Sequence, residues 1–514
     1  MAKTEPSNRL SSLDAAFLYM ENETAPLHIG AVTLFEGSMD VPAFKKSLKA
    51  KLHLIPRYRQ RIVVPPLNLG HPTWEFDPDF DIDNHIEEAS VGGKGTTAQL
   101  RRLAGRLFEG VLDREKPLWK IYLINDLEDG NSAMVSLVHH CMVDGVSGAE
   151  LLGIILDPLP NPEPVEEHPY DPDPLPETSK VVVDAVWSNV VEQFENWTEL
   201  QQNALNFAKS FRGTQLLSAL REMPGILRGV LRPVPNLPFN SRIFSGKRKI
   251  SWSACSFAEA RAIRGELGGT VNDVILTTLG GAMRRYLEHH DRPVKKKQVL
   301  RVMVPVSVRR EDERGTLGNR VSMLPVNVPL LEDPVERMRA VTEQTNTLKK
   351  NHVAEALSLM LHAWQGTLPA VQATVGRAVF APGLQPVIDF VARTPALHMV
   401  CTNVPGPQIP LYALGRRVTA HFPLVPVVPG MGMNLAIFSY NQRLHFGLVA
   451  DASAAPDVTR FNKFLDESFV ELRDAAGAAQ AEIIEVGRPQ QRKLPTKKMR
   501  VKKSDMEAQR AAAN

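Results

Sequence analysis

The feature that most restricts the fold of this chain is an apolar segment at residues 132–138 that ends in His139 and His140. The segment is rich in residues that favour β-strands, and the turn that follows supplies Asp144 and Gly145. Side chains of adjacent strand residues point to opposite faces of a sheet. One histidine is therefore expected to face a cavity while the other packs into the protein.

A helix is predicted directly after this turn, over residues 146–156. Ser147 and Glu150 have the spacing of a capping box, in which each side chain bonds to an N–H at the helix start. Gly145 permits a positive φ or a close approach of the backbone. Asp144 could orient an imidazole or bind an arginine from another element.

A histidine at this strand end could act as a base, because the ordinary pKa of histidine lies near neutral pH. A histidine pair taken alone is more often structural, so the whole pattern carries the prediction. The pair would be a poor metal site, since neighbouring strand side chains diverge. Cys141 is either a thiol nucleophile or, the alternative we favour, a small buried side chain.

A chain of 514 residues exceeds what one hydrophobic core usually supports, so two domains are expected. We predict an N-terminal domain at 1–156, a linker with crossover helices at 157–239, a C-terminal domain at 240–487 and a tail at 488–514. Residues 157–179 contain eight prolines and seven acidic residues, which indicates an extended and solvated connector.

The tail has nine basic and two acidic residues and little apolar pattern, so we expect it to be disordered. Attraction to anionic lipid headgroups is worth about 1 kcal/mol per basic residue near a membrane surface. Nucleic acid is not an expected partner, because no aromatic residues interleave with the basic ones.

Hydrophobic residues make up 43% of the chain and charged residues 23%, proportions typical of a soluble globular protein. The N-terminus has no signal sequence pattern, and no apolar run is long enough to span a membrane. Cys141, Cys255 and Cys401 lie far apart and form no motif, which fits a reducing compartment. We therefore expect a cytoplasmic protein.

Apolar spacing predicts regular elements on both sides of the linker. Helices are expected after Ser11 or Ser12, from Pro42, over Leu100 to Leu112, over Lys180 to Leu231, over Thr270 to His290 and from Pro456. Strands are expected at 27–35, 117–124, 299–308, 321–330, 434–440 and 443–449. The helix after the linker carries an apolar stripe with Trp187, which either packs on both halves or faces a lipid surface.

Residues 139–145, His-His-Cys-Met-Val-Asp-Gly, resemble the HHxxxDG box of chloramphenicol-acetyltransferase-like acyltransferases and condensation domains. Further motifs are similar to those of the bacterial wax ester synthase/diacylglycerol acyltransferase family. These motifs lie at 10–17, 117–119, 270–274 and 403–407. The resemblance extends from about Leu10 to Leu472. His289, His290 and Asp291 are not a second box, because no glycine follows at the required spacing.

This resemblance implies an α/β (α+β two-layer) fold of two chloramphenicol-acetyltransferase-like domains, with an active-site tunnel at their interface. It implies O-acyl transfer from a long-chain fatty acyl-CoA to diacylglycerol, giving triacylglycerol, or to a long-chain alcohol, giving a wax ester. Acyl-CoA is then a co-substrate, and no metal or other cofactor is required. The implied location is cytoplasmic and peripheral on the inner membrane or on lipid droplets, and the sequence indicates no oligomeric state.

The resemblance also assigns roles to residues. His140 is the implied general base, which takes the proton of the acceptor hydroxyl and returns it to the CoA thiolate. His139, Asp144 and Gly145 hold the box, with Arg309 as the expected partner of Asp144. Implied substrate-binding residues are Pro117, Leu118, Trp119, Asn272 and Asp273.

Three of these residues have a plain structural alternative. Trp119 is either a core residue or part of the wall of an acyl channel. Asn272 either bonds at a helix end or polarises the acyl carbonyl. Arg309 is otherwise a surface arginine.

Two other functions are open at this point. A related acyltransferase could use a carrier-protein donor or another acceptor, such as an amine. A protein of a different class could bind lipid droplets or membrane surfaces without catalysis, and release of CoA thiol from acyl-CoA would separate an enzyme from it.

Overall fold

The computed structural model describes residues 8–142, 152–189, 234–241, 243–307, 321–350, 367–379 and 397–481. Several predicted features lie outside these residues. They are Asp144 and Gly145 of the box, Ser147 and Glu150, Arg309, most of the helix predicted over Lys180 to Leu231, and the basic tail.

The described strands fall into two groups along the chain. The first group is β1 (His28–Phe35), β2 (Gln60–Val63), β3 (Thr73–Phe76), β4 (Ile86–Glu88), β5 (Trp119–Ile124) and β6 (Ser132–His139). The second group is β7 (Arg248–Ser256), β8 (Val299–Ser307), β9 (Val321–Pro329), β10 (Met399–Pro405), β11 (Tyr412–Ala413), β12 (Arg416–Leu424), β13 (Met433–Tyr440) and β14 (Arg443–Asp451).

Helices accompany both groups of strands. They are α1 (Ser12–Met20), α2 (Val41–Lys51), α3 (Thr97–Leu107), α4 (Phe257–Leu267), α5 (Val271–His289), α6 (Pro334–Lys350), α7 (Pro369–Val379) and α8 (Val458–Ala475). Residues 178–189 are also helical, and a 3-10 turn, His140–Met142, follows β6. Among the described residues, no helix combines the length and apolar character needed to cross a bilayer.

In the described part of the chain, the strands form two six-stranded sheets and a two-stranded ribbon. The first sheet has the order β11-β12-β1-β6-β5-β4, the second has the order β7-β14-β13-β10-β8-β9, and the ribbon pairs β2 with β3. Pairing is parallel between β4 and β5 and on both sides of β10, and antiparallel elsewhere. Helices pack against these sheets, so the expected α/β fold class is confirmed.

Strand β12 comes from the second half of the chain but pairs with β1 in the first sheet, with Gly30 opposite Leu424. Its Phe422 stacks on Trp252 of β7, with 5.4 Å between ring centroids. A Cβ on Gly447 of β14 would collide with the backbone of β12, so this close contact requires glycine. β12 therefore belongs to one sheet and packs against the other. The domain boundaries drawn from the sequence stay predictions.

Helix α3 differs from its prediction over Leu100 to Leu112, since it both begins and ends earlier. Thr96 and Gln99 form a capping box that starts the helix upstream of the first apolar residue. Gly110 follows the helix with a φ of 77°, which suits a chain that is leaving a helix. Apolar spacing located the buried face of α3 but not its ends.

Candidate functional site

Strand β6 lies inside the first sheet and ends at His139, and His140 begins the 3-10 turn that follows. The backbone N–H of His139 donates to the carbonyl of Leu118 at 2.9 Å, and that of His140 donates to the carbonyl of Leu27 at 3.0 Å. Leu27 and Leu118 directly precede β1 and β5. The starts of the two neighbouring strands therefore hold both histidines.

His140 is partly exposed and lies against α1. Its ring stacks on Phe17, with 3.9 Å between centroids and 10° between planes. Burial, with a smaller contribution from His139, lowers the pKa of His140 from 6.5 to about 4. The imidazole is therefore neutral at pH 7, the state that a proton acceptor needs.

His139 is fully buried. Its Nδ1 accepts the backbone N–H of Cys141 at 3.2 Å, and the Cys141 Sγ lies 3.0 Å from the same atom. A ring nitrogen that accepts an N–H carries no proton, so the ring proton is assigned to Nε2. Nε2 faces Glu21 Oε1 at 3.3 Å, an electrostatic contact that is not aligned as a hydrogen bond.

Glu21 closes α1, and its side chain is 1% exposed. Oε1 accepts the N–H of Leu27 at 2.9 Å, and Oε2 accepts from the Arg114 guanidinium at 2.9 Å. Burial alone would raise the pKa of Glu21, but His139, Leu27 and Arg114 together lower it to about 2. An ionised, buried carboxylate therefore lies behind the histidine pair.

His28 of β1 is the cross-strand partner of His139 and is fully buried. Its Nε2 lies 3.1 Å from the carbonyl oxygen of Phe108, whose ring it meets edge-on at 4.4 Å. Burial lowers the pKa of His28 to about 4. These contacts are those of a packed, neutral histidine.

The Pro-Leu-Trp motif supports the box. Pro117 and Leu118 are buried, and the Leu118 carbonyl holds the end of β6. Trp119 is 1% exposed, its Nε1–H donates to the Tyr58 carbonyl at 2.8 Å, and its ring stacks on His85 at 4.4 Å. The contacts of Trp119 favour the core role over the channel role. Substrate binding by this motif stays a prediction.

Two distant motifs meet at the start of α5. The Asp273 carboxylate accepts the N–H and hydroxyl of Thr270 and the hydroxyl of Thr345, each at 2.8 Å. These bonds are those of a buried helix cap, and a substrate contact by Asp273 stays a prediction. Asn272 Oδ1 accepts from Asn403 Nδ2 at 2.5 Å, which leaves the Asn272 Nδ2 as the group that can donate to a substrate.

The aspartate–arginine pair proposed for the box is not among the described residues, since Asp144, Gly145 and Arg309 all lie outside them. Cys141 is described, and burial raises the pKa of its thiol. A thiol with a raised pKa disfavours the thiolate form, so the nucleophile alternative for Cys141 loses support.

Within the described residues, no group of three or more histidine, cysteine or acidic side chains has an arrangement that could hold a metal ion. A cavity of about 260 Å³ lies between β7, α4 and α8, and its lining includes Cys255, Glu259, Asp466 and Arg473. Its lining includes no residue of the histidine site. The tunnel expected at the domain interface stays a prediction.

Glu21 is the site residue that the sequence did not reveal. It follows Phe17 by four residues, so both lie on one face of α1 and turn toward the box. The four-residue spacing of Phe17 and Glu21 is the sequence signal that could have placed Glu21 beside the box. A single glutamate at a helix end has the pattern of a solvated residue, and only the fold shows its burial.

Residues 10–275 match the wax ester synthase/diacylglycerol acyltransferase catalytic domain, and residues 317–473 match the C-terminal domain of the same family. A putative diacylglycerol O-acyltransferase of Mycobacterium tuberculosis, Rv1760, is 29% identical over 480 residues, which are 91% of this chain and 90% of the relative. The probable diacylglycerol O-acyltransferase tgs1 of the same species is 29% identical over 485 residues, 90% of this chain and 96% of tgs1.

Solved structures share the fold. The wax ester synthase/diacylglycerol acyltransferase from Marinobacter aquaeolei VT8 has a TM-score of 0.62 at 23% identity, and the match covers 91% of this chain and all of that one. A starter condensation domain of rhizomide synthetase in complex with C8-CoA has a TM-score of 0.53 at 12% identity, over 91% of this chain and 95% of that one. The expected fold of two chloramphenicol-acetyltransferase-like domains is confirmed. The chain belongs to the wax ester synthase/diacylglycerol acyltransferase family and is an acyltransferase.

Proposed function

We propose that the protein moves a long-chain acyl group from acyl-CoA to the hydroxyl of diacylglycerol or of a long-chain alcohol, with His140 as the general base. Relatives named diacylglycerol O-acyltransferase support this class of acceptor. The observation that carries the role of His140 is its position directly after β6, where its ring stacks on Phe17 of α1.

In the proposed reaction, His140 accepts the hydroxyl proton while the acceptor oxygen attacks the thioester carbonyl carbon. A C–O bond forms, and the former carbonyl oxygen carries the negative charge of a tetrahedral intermediate. Collapse of this intermediate breaks the C–S bond. The CoA thiolate then takes the proton from the imidazolium, which leaves an ester, free CoA thiol and neutral His140.

Asn272 is proposed to stabilise the oxyanion through its Nδ2, since Asn403 already uses its Oδ1. Backbone N–H groups that follow the box are further candidates. In other enzymes, removal of one such donor costs about 2.7–4 kcal/mol of transition-state stabilisation. No metal ion or other cofactor enters this scheme.

The test is thiol release from palmitoyl-CoA with diacylglycerol, with hexadecanol and without an acceptor. Release should require an acceptor, and His140→Ala should lower kcat by roughly 10²–10⁴-fold. Mass spectrometry of the product identifies the better acceptor. A wild-type rate in His140→Ala would show that His140 is not the base. Activity only with amine acceptors would contradict the proposed hydroxyl acceptor, and activity only with carrier-protein donors would contradict acyl-CoA as the donor.

We also propose that the protein docks peripherally on a lipid surface. Its described surface carries an exposed apolar patch on three neighbouring segments, and this patch supports the proposal. The patch consists of Leu67, Val183, Val186, Trp187, Leu368, Val371 and Val375. Trp187 is 71% exposed and Leu67 is 84% exposed.

Contacts with one loop bring these segments together. Asn189 of the 178–189 helix donates to the carbonyl of Leu69, and Arg377 of α7 donates to Asn68 at 3.5 Å. Leu67 lies on the same loop. Tryptophan and aliphatic side chains of this kind enter the boundary between headgroups and acyl chains. The basic tail, outside the described residues, stays a predicted electrostatic contribution.

Flotation with phosphatidylcholine vesicles, with and without phosphatidylglycerol, tests the lipid contact. A Val183→Ser, Trp187→Ser double variant should lose most of its vesicle binding. Ile243→Ser is the matched control, because Ile243 is similarly exposed outside the patch. Binding that survives in the double variant but disappears without phosphatidylglycerol would exclude the patch in favour of electrostatic attraction.

A further inference from the structure

We propose that Glu21 is a positioning residue for the reaction: through His139 it fixes the turn that presents His140. This inference rests on the proposed function of His140. Glu21 would act through His139 and Leu27, and a connected set of contacts around the end of β6 supports this role.

The first connection between Glu21 and His140 passes through the backbone of Leu27. Its N–H donates to Glu21 Oε1 at 2.9 Å, and its carbonyl accepts the N–H of His140 at 3.0 Å. The Glu21 carboxylate and the backbone of the proposed base are therefore linked through a single residue, Leu27. A displacement of Glu21 would move the acceptor that holds the His140 backbone.

The second connection passes through the His139 ring. Nδ1 accepts the N–H of Cys141 in the 3-10 turn, which is possible only while the ring proton lies on Nε2. Nε2 faces the ionised Glu21 at 3.3 Å, and a negative charge favours a proton on the nitrogen that faces it. Glu21 thus selects the tautomer that lets His139 hold the turn.

The carboxylate is itself fixed. Arg114 donates to Glu21 Oε2 and to the carbonyl of Leu18, both at 2.9 Å. The Glu21 N–H donates to the carbonyl of Phe17 at 3.1 Å, and Phe17 stacks on the His140 ring. The end of α1 therefore contacts both histidines of the box, one through a ring and one through a charge.

Glu21→Gln and Glu21→Asp separate this role from packing. Glutamine keeps the shape and an oxygen for the Leu27 N–H but loses the charge, whereas aspartate keeps the charge on a shorter side chain. We expect Glu21→Gln to lower kcat by about 10–100-fold with the KM for palmitoyl-CoA nearly unchanged, because a misplaced catalytic group costs this much. Aspartate should retain more kcat than glutamine, and the reverse order would overturn the inference.

Two further measurements complete the test. In a His139→Gln background, Glu21→Gln should have little additional effect on kcat, because residues that act as one unit are not additive. Nitrogen-15 NMR of histidine-labelled wild-type protein should show the proton of His139 on Nε2, and a proton on Nδ1 would overturn the inference even if a variant failed to fold. If His140→Ala keeps full activity, the proposed function fails; if it is inactive while Glu21→Gln is fully active, only this inference fails.

Discussion

Two pairs of adjacent histidines occur in this chain, His139-His140 at the end of β6 and His289-His290 at the end of α5. The first pair is enclosed by α1, and Glu21 lies behind it without access to solvent. The second pair is exposed, and its His290 Nε2 lies 3.0 Å from Asp457 at the surface.

The difference shows that the dipeptide does not determine the chemistry. Each pair has a carboxylate nearby, but only the first pair meets it away from water, where a charge acts strongly on its neighbours. The first pair has a ring stacked face to face on His140, whereas Tyr286 and Phe464 meet the second pair edge-on. Helix α1 packs over the strand end that carries the first pair, whereas the second pair lies at the surface.

The largest expected contrast is in stability. His139→Ala should reduce the free energy of unfolding by about 3–5 kcal/mol, because it replaces a fully buried ring by a cavity and leaves the buried Cys141 N–H without its acceptor. His290→Ala should cost less than about 1 kcal/mol, since its contact with Asp457 lies at the protein surface. Urea unfolding followed by tryptophan fluorescence measures both. Equal losses would show that the two environments do not differ as described.

The pH dependence of activity sharpens the contrast at His140. A base acts when neutral, so activity should be present above its pKa and lost as the pH falls through it. Burial lowers this pKa from 6.5 to about 4, so the acid limb of kcat/KM is expected near pH 4. A limb near 6.5 would mean that His140 is as hydrated as an exposed histidine.

Folding must be followed in the same samples. Burial lowers the pKa of His28 and of His421 to about 4 and that of His445 to about 3. In the unfolded chain the histidine pKa values lie near 6.5, so below pH 6.5 the unfolded chain binds more protons than the folded one. The free energy of unfolding therefore falls as the pH drops from 6.5 toward 4. Fluorescence at each pH separates lost folding from a protonated base.

A smaller effect is expected from the ring over His140. Phe17→Leu should expose part of the imidazole, raise its pKa toward 6.5 and move the acid limb upward by less than about one pH unit. Phe464→Leu is the matched control, because Phe464 meets His289 edge-on at 5.8 Å in the second pair. A limb that stays in place in Phe17→Leu would show that other groups bury His140.

The smallest effect is expected at the exposed pair. Asp457→Asn removes the negative charge beside His290 but keeps an oxygen for the Tyr286 hydroxyl, which donates to Asp457 at 2.8 Å. The free energy of unfolding, measured by thermal denaturation, should change by less than about 1 kcal/mol, and kcat should not change. A loss of turnover in this variant would connect the second pair to catalysis.

Apolar periodicity predicted much of this fold. The strands expected at 299–308 and 321–330 are β8 and β9, and the hairpin expected at 434–449 is β13 and β14. The pairing of β12 with β1 was not predictable, because periodicity reports which face of a strand is buried and not which strand lies beside it. Long-range pairing depends on the whole chain.

The candidate site also has one part that was predictable from the sequence and one part that was not. The divergence of His139 and His140 and the cap of α5 follow from local geometry, and the sequence contained both. The burial and charge of Glu21 depend on hydrogen bonds from Leu27 and Arg114, which only the folded chain brings to its carboxylate. Local rules therefore locate the candidate base, whereas the contacts that surround it require the tertiary structure.

The position of β12 affects how the protein is made. Strand β1 receives one neighbour from β6 and the other only from β12, which is synthesised much later. At about 5–20 residues per second, roughly 15–60 s separate the appearance of these two strands from the ribosome. During that interval β1 presents a row of unpaired N–H and C=O groups, an edge to which other chains can add. The translation time of the second half of the chain therefore sets how long the nascent enzyme is exposed to aggregation.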